Sequence, residues 1–237
     1  MSPVMTRRHR RLTGLALLAV AAALQGGATD AAGDQLYPSG PPNGVAYIRF
    51  VNLAPREVTI VSPSAKIAIP ADDQHRVGQF DAVTPGVALT GSAKLGEASK
   101  PIDLKLVPNE FVTVVATAEG ANGLTLTVFR DVPTEFNALK SSLALFNVDK
   151  GCAQAQLVAG GSHMSVIAGV APGAVGRRMV NPVKAELGVA CSDPAQATPA
   201  KLGQLAAGER YSVFVAAAGA SGHEVVAQRD EQALFRP

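Results

Sequence analysis

The sequence of 237 residues contains no tryptophan, two cysteines, four histidines and only 5% aromatic residues. Two cysteines are too few for a disulfide-dense scaffold or for a zinc site with four cysteine ligands. Hydrophobic residues make up 47% of the chain, mostly as Ala and Val, which excludes wholesale disorder. The sequence therefore predicts a folded protein whose core is built from small side chains.

The first 32 residues have the pattern of a secretory signal peptide. Four arginines (Arg7, Arg8, Arg10 and Arg11) precede an apolar run at residues 12–24, and small residues follow it. A membrane anchor is the alternative, but the run is shorter than the roughly 20 residues that span a bilayer. We expect cleavage after Ala28 or Ala32, export to the periplasm, and no membrane span in the mature chain.

Loss of this leader changes the charge of the chain. Cleavage after Ala32 removes the four arginines and Asp30, so 17 basic and 18 acidic residues remain. The net charge falls from +2 to −1, and the basic character of the full sequence belongs to the leader. Nucleic acid is therefore not an expected partner.

The mature sequence is dominated by short β patterns. Residues 34–44 contain three prolines and predict an extended arm, because proline fixes φ and donates no backbone hydrogen bond. Residues 102–106, 124–128 and 183–187 alternate apolar and polar side chains, as in strands with one buried face. Turn residues punctuate the chain every eight to twelve positions, which favours β-sandwiches.

The second half of the sequence repeats the first. The segment 118–123 recurs as 217–222, and the Arg-Asp pair at 130–131 recurs at 229–230, both at an offset of 99 residues. The segment 48–52 resembles 143–147 near the start of each copy. We therefore predict an all-β fold of two tandem sandwich domains, Ig-like or jelly-roll-like, with these boundaries: signal peptide 1–32, arm 33–44, first domain 45–131, linker 132–138 and second domain 139–237.

No constellation of catalytic residues is recognisable. A Ser-His-acid triad needs histidine near a nucleophile, and the nearest approach is Ser162 beside His163, in a segment that lacks the closing glycine of a nucleophile elbow. A polar hairpin turn is the simpler interpretation. We predict no catalytic residue and no cofactor.

No metal site is predicted either. The histidines are dispersed, and Asp72, Asp73 and His75 are read as a solvated turn rather than as metal ligands.

The two cysteines, Cys152 and Cys191, both lie in the second predicted domain. In an oxidising compartment such a pair predicts a structural disulfide, and two separate buried thiols are the alternative.

A sugar platform built from exposed aromatic rings is disfavoured, because only Tyr37 is expected to be free. Arg76, Arg177, Arg178 and Lys184 could instead hold an anionic glycan, although a solvated strand face is the preferred interpretation.

Several short segments together resemble the alginate O-acetylation protein AlgF family. They are Leu36-Tyr37 followed by Pro42 and Gly44, Arg49-x-x-Asn52 on the first strand, and Arg177-Arg178 before Asn181-Pro-Val-Lys184. The leader, the length and the two-domain β layout agree with the same family. The resemblance therefore extends over essentially the whole mature chain. Cys152 and Cys191 are not part of the family pattern, so the predicted disulfide is independent of the resemblance.

The resemblance implies a periplasmic accessory or adaptor protein, required for O-acetylation of mannuronate residues but without catalytic residues of its own. Its partners would be periplasmic and membrane-bound acetyltransferase subunits, and direct contact with the alginate polymer is an alternative. An acetyltransferase acting through Ser162 is a further alternative. The expected partner-binding residues are Tyr37, Arg49, Asn52, Arg177, Arg178, Asn181 and Lys184. Arg49 and Asn52 could equally be internal anchors at a turn and a strand end.

Overall fold

A computed structural model describes residues 44–120, 122–218 and 222–233. The predicted signal peptide, most of the arm and Tyr37 lie outside these residues. The prediction of an all-β fold is confirmed, since the described chain forms sixteen strands in four sheets and one short 3-10 helix, Pro194–Gln196. No helix in the described ranges has the length and apolar character needed to cross a membrane.

The first half of the described chain contributes two four-stranded sheets. Sheet I has the order β3-β2-β5-β6 and sheet II the order β4-β1-β7-β8. The strands are β1 (Ala46–Asn52), β2 (Val58–Val61), β3 (Lys66–Ile69), β4 (Asp81–Val83), β5 (Ala88–Leu95), β6 (Ala98–Lys105), β7 (Phe111–Glu119) and β8 (Gly123–Asp131). Strands β1 and β7 are parallel, with Tyr47 opposite Phe111, and the other pairs are antiparallel.

The second half contributes two more sheets with the same central arrangement. Sheet III has the order β12-β9-β15-β16 and sheet IV the order β11-β10-β13-β14. The strands are β9 (Ser141–Asn147), β10 (Ala155–Ala159), β11 (Met164–Val170), β12 (Val175–Val180), β13 (Leu187–Ala190), β14 (Thr198–Ala200), β15 (Arg210–Ala218) and β16 (Gly222–Arg229). Strands β9 and β15 are parallel, as β1 and β7 are in the first half.

The ends of β1 and β9 form corresponding hydrogen bonds, as the repeat in the sequence predicts. Asn52 accepts a hydrogen bond from the backbone N–H of Ala54, and Asn147 accepts one from the backbone N–H of Asp149. The next backbone bonds, from Leu53 to Ala116 and from Val148 to Val215, also correspond. Both asparagines are buried and mark equivalent positions in the two halves.

Three apolar layers lie between the four sheets. Sheets I and II enclose one core around Val58, Ile60, Ala116 and Leu124, and sheets III and IV enclose another around Leu145, Leu157, Val189 and Val213. A third layer joins sheet II to sheet III. Its aromatic centre consists of Phe129 edge-on to Phe146 and Phe146 stacked on Phe214, with ring centroids 5.3 and 4.7 Å apart.

The third layer explains why the central strands are buried on both faces. Every residue of β9 is buried, and so are residues 111–116 of β7. Ile48 faces the core of the first sandwich, whereas Arg49 and Val51, on the opposite side of the same strand, face sheet III. Six of the eleven aromatic residues lie between sheets II and III, so the few large side chains are concentrated between the halves.

One predicted strand is wrong in extent. Residues 183–187 were expected to form a strand, but β13 begins only at Leu187, and Lys184 makes a single bridge to Gln204. The reason is that the partner strand β10 ends at Ala159, opposite Leu187, so the residues before Leu187 have no ladder to join. Val183 is 47% exposed in the resulting loop.

Candidate functional site

The predicted partner-binding residues are not all on the surface. Arg49 is 1% exposed and Asn52 is fully buried. The side-chain amide of Asn52 donates to the carbonyls of Arg56 and Ile69 at 2.8 and 2.9 Å. Both residues are therefore internal anchors, and their assignment as contacts for a partner does not fit the folded chain.

Arg49 is the centre of a buried ionic cluster between sheets II and III. Its guanidinium donates to Asp230 at 2.8 Å, to Ser212 at 2.7 Å and to Thr113 at 3.1 Å, and it lies 4.1 Å from the centre of the Phe80 ring. Burial lowers the pKa of Arg49, and Asp230 acts in the opposite direction. This pair connects the first half to the residue that follows β16, the last strand of the second half.

A second ion pair also joins the halves, but here the arginine belongs to the second half and the aspartate to the first. Arg177 of β12 donates to Asp131 at the end of β8 at 2.7 Å, and to Ser142 at 2.7 Å. Asp131 and Asp230 are equivalent in the repeat, so each half supplies one aspartate and receives an arginine from the other. Arg177 is thus an inter-half anchor as well as a member of the predicted binding segment.

Arg210 is the third arginine of this cluster. It lies 4.1 Å from the centre of the Phe111 ring, and its Nε and Nη2 atoms have no hydrogen-bond partner among the described residues. Burial, followed by repulsion from Arg177, lowers the pKa of Arg210 to about 10. The cation–π contact with Phe111 and the attraction of Asp230 and Asp131 offset part of the cost of burying this charge.

The remaining predicted binding residues are exposed but dispersed. Arg178, Asn181 and Lys184 are accessible, and Arg178 donates to the carbonyl of Val166 at 2.9 Å. Arg178 borders one cavity, Lys184 a second and Arg76 a third. The structure therefore does not assemble the cations proposed for an anionic glycan into one site.

The segment between the two halves carries exposed apolar side chains that the sequence reading missed. Val132, Phe136 and Leu139 are 52, 37 and 79% exposed, and we call these three residues the linker patch. A groove of about 500 Å³ separates residues 131–140 from β12, where Arg177, Arg178 and Met179 line it. The patch thus adjoins the segment that carries the family resemblance.

Ser162 and His163 lie at the exposed tip of the β10–β11 hairpin. The Ser162 hydroxyl is 3.4 Å from the backbone nitrogen of Met164, and His163 Nδ1 is 3.1 Å from the carbonyl oxygen of Pro194. The structure does not pair these two side chains with each other. The turn interpretation describes their geometry.

The Asp72–His75 turn is also solvated. His75 Nδ1 is 2.7 Å from Asp72 Oδ1, and this hydrogen bond holds the pKa of Asp72 below its ordinary value. Within the described ranges, no group of three or more His, Cys, Asp or Glu side chains could hold a metal ion.

The predicted disulfide is confirmed. Cys152 and Cys191 are bonded, with their Cα atoms 5.0 Å apart and a sequence separation of 39. The bond ties the loop after β9 to the end of β13, and Cys152 is fully buried. Disulfides persist in oxidising compartments, so this bond favours a location outside the cytoplasm.

A histidine–aspartate pair lies at a polar cleft between the halves. His223 Nδ1 is 2.5 Å from Asp149 Oδ2, and Asp149 Oδ1 accepts a hydrogen bond of 2.7 Å from the backbone N–H of Gly151. Next to it, Arg76 of the first half forms an ion pair with Glu224. Nothing in the sequence brings Asp149 and His223 together, because 74 residues separate them.

Comparison with known proteins identifies no family for this chain. No protein-family model matches it, and no curated protein matches its sequence.

Proposed function

We propose that this chain is a non-catalytic periplasmic adaptor of the alginate O-acetylation machinery, needed for adding acetyl groups to mannuronate residues. The proposal joins the resemblance in residues 36–52 and 177–184 to one structural observation, the linker patch. In this proposal acetyltransferase subunits bind to the patch and to the adjoining groove.

The linker patch has the features of a protein-binding surface. An interface typically has an apolar centre, a polar rim and few charged groups at its core. Val132, Phe136 and Leu139 supply the apolar centre, while Arg178 and Lys140 border the groove beside it. Val132 lines the groove itself, and Phe136 and Leu139 follow within the next seven residues of the same segment.

The backbone that carries the patch is held at both ends. Asp131 at its start bonds to Arg177, and the hydroxyl of Ser141 at its end donates to the carbonyl of Ala206 at 2.6 Å. A surface segment held in this way loses less conformational entropy on binding than a free linker would.

The first experiment is deletion of the gene in the producing cell, followed by measurement of polymer yield and O-acetyl groups per uronate. Retained polymer with lost acetyl groups supports a role in the acetylation step. Unchanged acetylation overturns the proposal.

Complementation with point variants then tests the patch. Leu139→Asp places a charge at the most exposed apolar position and is expected to reduce both acetylation and co-purification of acetyltransferase subunits. Met164→Asp is the matched control, because Met164 is 68% exposed on a different hairpin. Ser162→Ala is expected to leave acetylation unchanged, and loss of acetylation in a folded S162A protein would favour the enzyme alternative.

A further inference from the structure

A cavity lined by residues of both halves opens between them. It has a volume of about 990 Å³, and residues at the neighbouring ends of β7, β8, β15 and β16 line it. Both halves line it in corresponding ways, through the ends of β1 and β9 and through the ends of the hairpins. Its size is that of a pocket for a ligand of several rings.

His223 is held at this cleft in one orientation. A carboxylate only accepts hydrogen bonds, so the 2.5 Å contact with Asp149 requires a proton on Nδ1 of His223. In the neutral imidazole this places the free lone pair on Nε2. The Asp149 side chain is 5% exposed and the His223 side chain 34% exposed, so the carboxylate is buried behind an accessible ring.

The internal repeat shows that the fold does not require this pair. Asp149 corresponds to Ala54 and His223 to Leu124, by the offsets of 95 and 99 residues that relate the two halves. Ala54 and Leu124 are both buried and belong to one apolar cluster. The same backbone positions are therefore filled by packing residues in one half and by a polar pair in the other.

The side chains that line the cleft offer both donors and acceptors with little net charge. Glu224 is neutralised by Arg76, and Lys150 and Glu119 carry opposite charges. Thr117 and Thr127 add hydroxyl groups, and alanines of β15 form an apolar part of the wall. This mixture suits a ligand with many hydroxyl groups better than a strongly charged or an apolar ligand.

We propose that the cleft binds a saccharide chain, with a sugar hydroxyl donating a hydrogen bond to Nε2 of His223. Asp149 fixes the tautomer and the direction of the ring, as carboxylates do for histidines in many sites. This site is separate from the linker patch and does not depend on the proposed adaptor function.

The test is NMR spectroscopy of the exported chain with ¹⁵N-labelled histidine. The free protein is expected to show His223 as the Nδ1–H tautomer. Two probes are added separately, an oligomannuronate hexasaccharide and the uncharged maltohexaose. We expect at least one of them to shift the His223 Nε2 resonance at millimolar concentration, while His163, on the distant β10–β11 hairpin, stays unchanged.

The matched variant is the double substitution Asp149→Ala with His223→Leu, which copies the pair found in the first half. It is expected to fold and to bind the sugar about tenfold more weakly, the effect of one lost hydrogen bond. Equal affinity in this variant overturns the proposal, and so does the absence of any His223 shift with either sugar. The probe that binds identifies the glycan as acidic or uncharged, and the wild-type titration decides the question even if the variant fails to fold.

Discussion

Arg49 and Asp230 are 181 residues apart in the sequence, yet their side chains meet at 2.8 Å between sheets II and III. Arg49 is on the first strand of the described chain, and Asp230 directly follows the last. The side chains of Arg49 and Asp230 are only 1 and 3% exposed. This pair therefore joins the two halves through residues that lie near opposite ends of the described chain.

Removal of Arg49 is expected to destabilise the protein strongly. Arg49→Met leaves Asp230 buried without its main counter-charge and leaves Thr113 and Ser212 without their donor. Breaking a buried pair in this way costs about 3–5 kcal/mol in the free energy of unfolding. Urea unfolding measures this loss. Arg178→Met, at an exposed arginine, serves as the control and should change stability by less than about 0.5 kcal/mol.

Asp230 is expected to make the free energy of unfolding depend on pH. Burial raises its pKa, but Arg49, Ser212 and Arg210 together outweigh burial, so the pKa of Asp230 is lower when the chain is folded. A lowered folded-state pKa contributes stability above the unfolded value of about 3.9, and this contribution is lost as the pH falls further. We therefore expect the free energy of unfolding to decrease below about pH 4.

The Asp230→Asn variant tests this assignment. It should be less stable than the wild type at neutral pH and should lose less stability between neutral pH and pH 3. Asp103→Asn, which changes an exposed aspartate of β6, controls for the loss of one charge. Parallel stability curves for wild type and D230N would contradict the prediction.

The sequence was sufficient to predict strands in which apolar and polar side chains alternate. Residues 102–106 and 124–128 were predicted as strands and lie in β6 and β8, apart from Leu106, which directly follows β6. The disulfide could be predicted because only two cysteines are present. The stacking of sheet II on sheet III was missed, although a continuous apolar run such as residues 143–146 is typical of a strand buried on both faces.

The candidate sites were harder to predict because they depend on contacts between distant residues. For Arg49 the sequence left two interpretations open, a partner contact on the surface and an internal anchor, because a charged residue in a strand is usually exposed. Only its partners Asp230, Ser212 and Thr113, from three other parts of the chain, show that it is internal. The pairing of His223 with Asp149 has no local signal either, because each is a single polar residue beside a turn.

The two equivalent asparagines are expected to be equally important for folding. Asn147 donates to the carbonyls of Cys152 and Val170 at 2.7 and 2.8 Å, as Asn52 donates to two carbonyls in the first half. Substitution of either by alanine leaves buried carbonyls unsatisfied and should cost about 2–4 kcal/mol. Urea unfolding of N52A and N147A measures this cost. Asn181→Ala, at an exposed position, should change stability little, and a similarly small effect in N52A would contradict the assignment.

Removal of the disulfide is expected to destabilise the protein without abolishing its fold. A bond that closes a loop of about 40 residues stabilises by about 4 kcal/mol in the chain-entropy model. The Cys152→Ser, Cys191→Ser double variant should lose close to this amount in urea unfolding. Mass measurement of the wild type under denaturing conditions, with alkylation before and after reduction, checks the bond itself. Full alkylation without reductant would exclude it.

The last prediction concerns the independence of the two halves. A chain that ends at residue 135 would expose Val51, Val115 and Phe129, and a chain that begins at residue 136 would expose Phe146 and Phe214. Each would also leave half of the ionic cluster without its partner, which is costly for buried charges. We expect each separate half to self-associate or to remain partly unfolded.

Size-exclusion chromatography with light scattering and the dispersion of amide NMR signals distinguish these outcomes. Mixing the two halves should recover a one-to-one complex, because the surfaces between sheets II and III are complementary. Two well-folded monomers that do not bind each other would show that the shared layer is dispensable. In that case the arginine–aspartate pairs would orient two autonomous domains, whereas recovery of the complex would make the four-sheet stack the unit of folding.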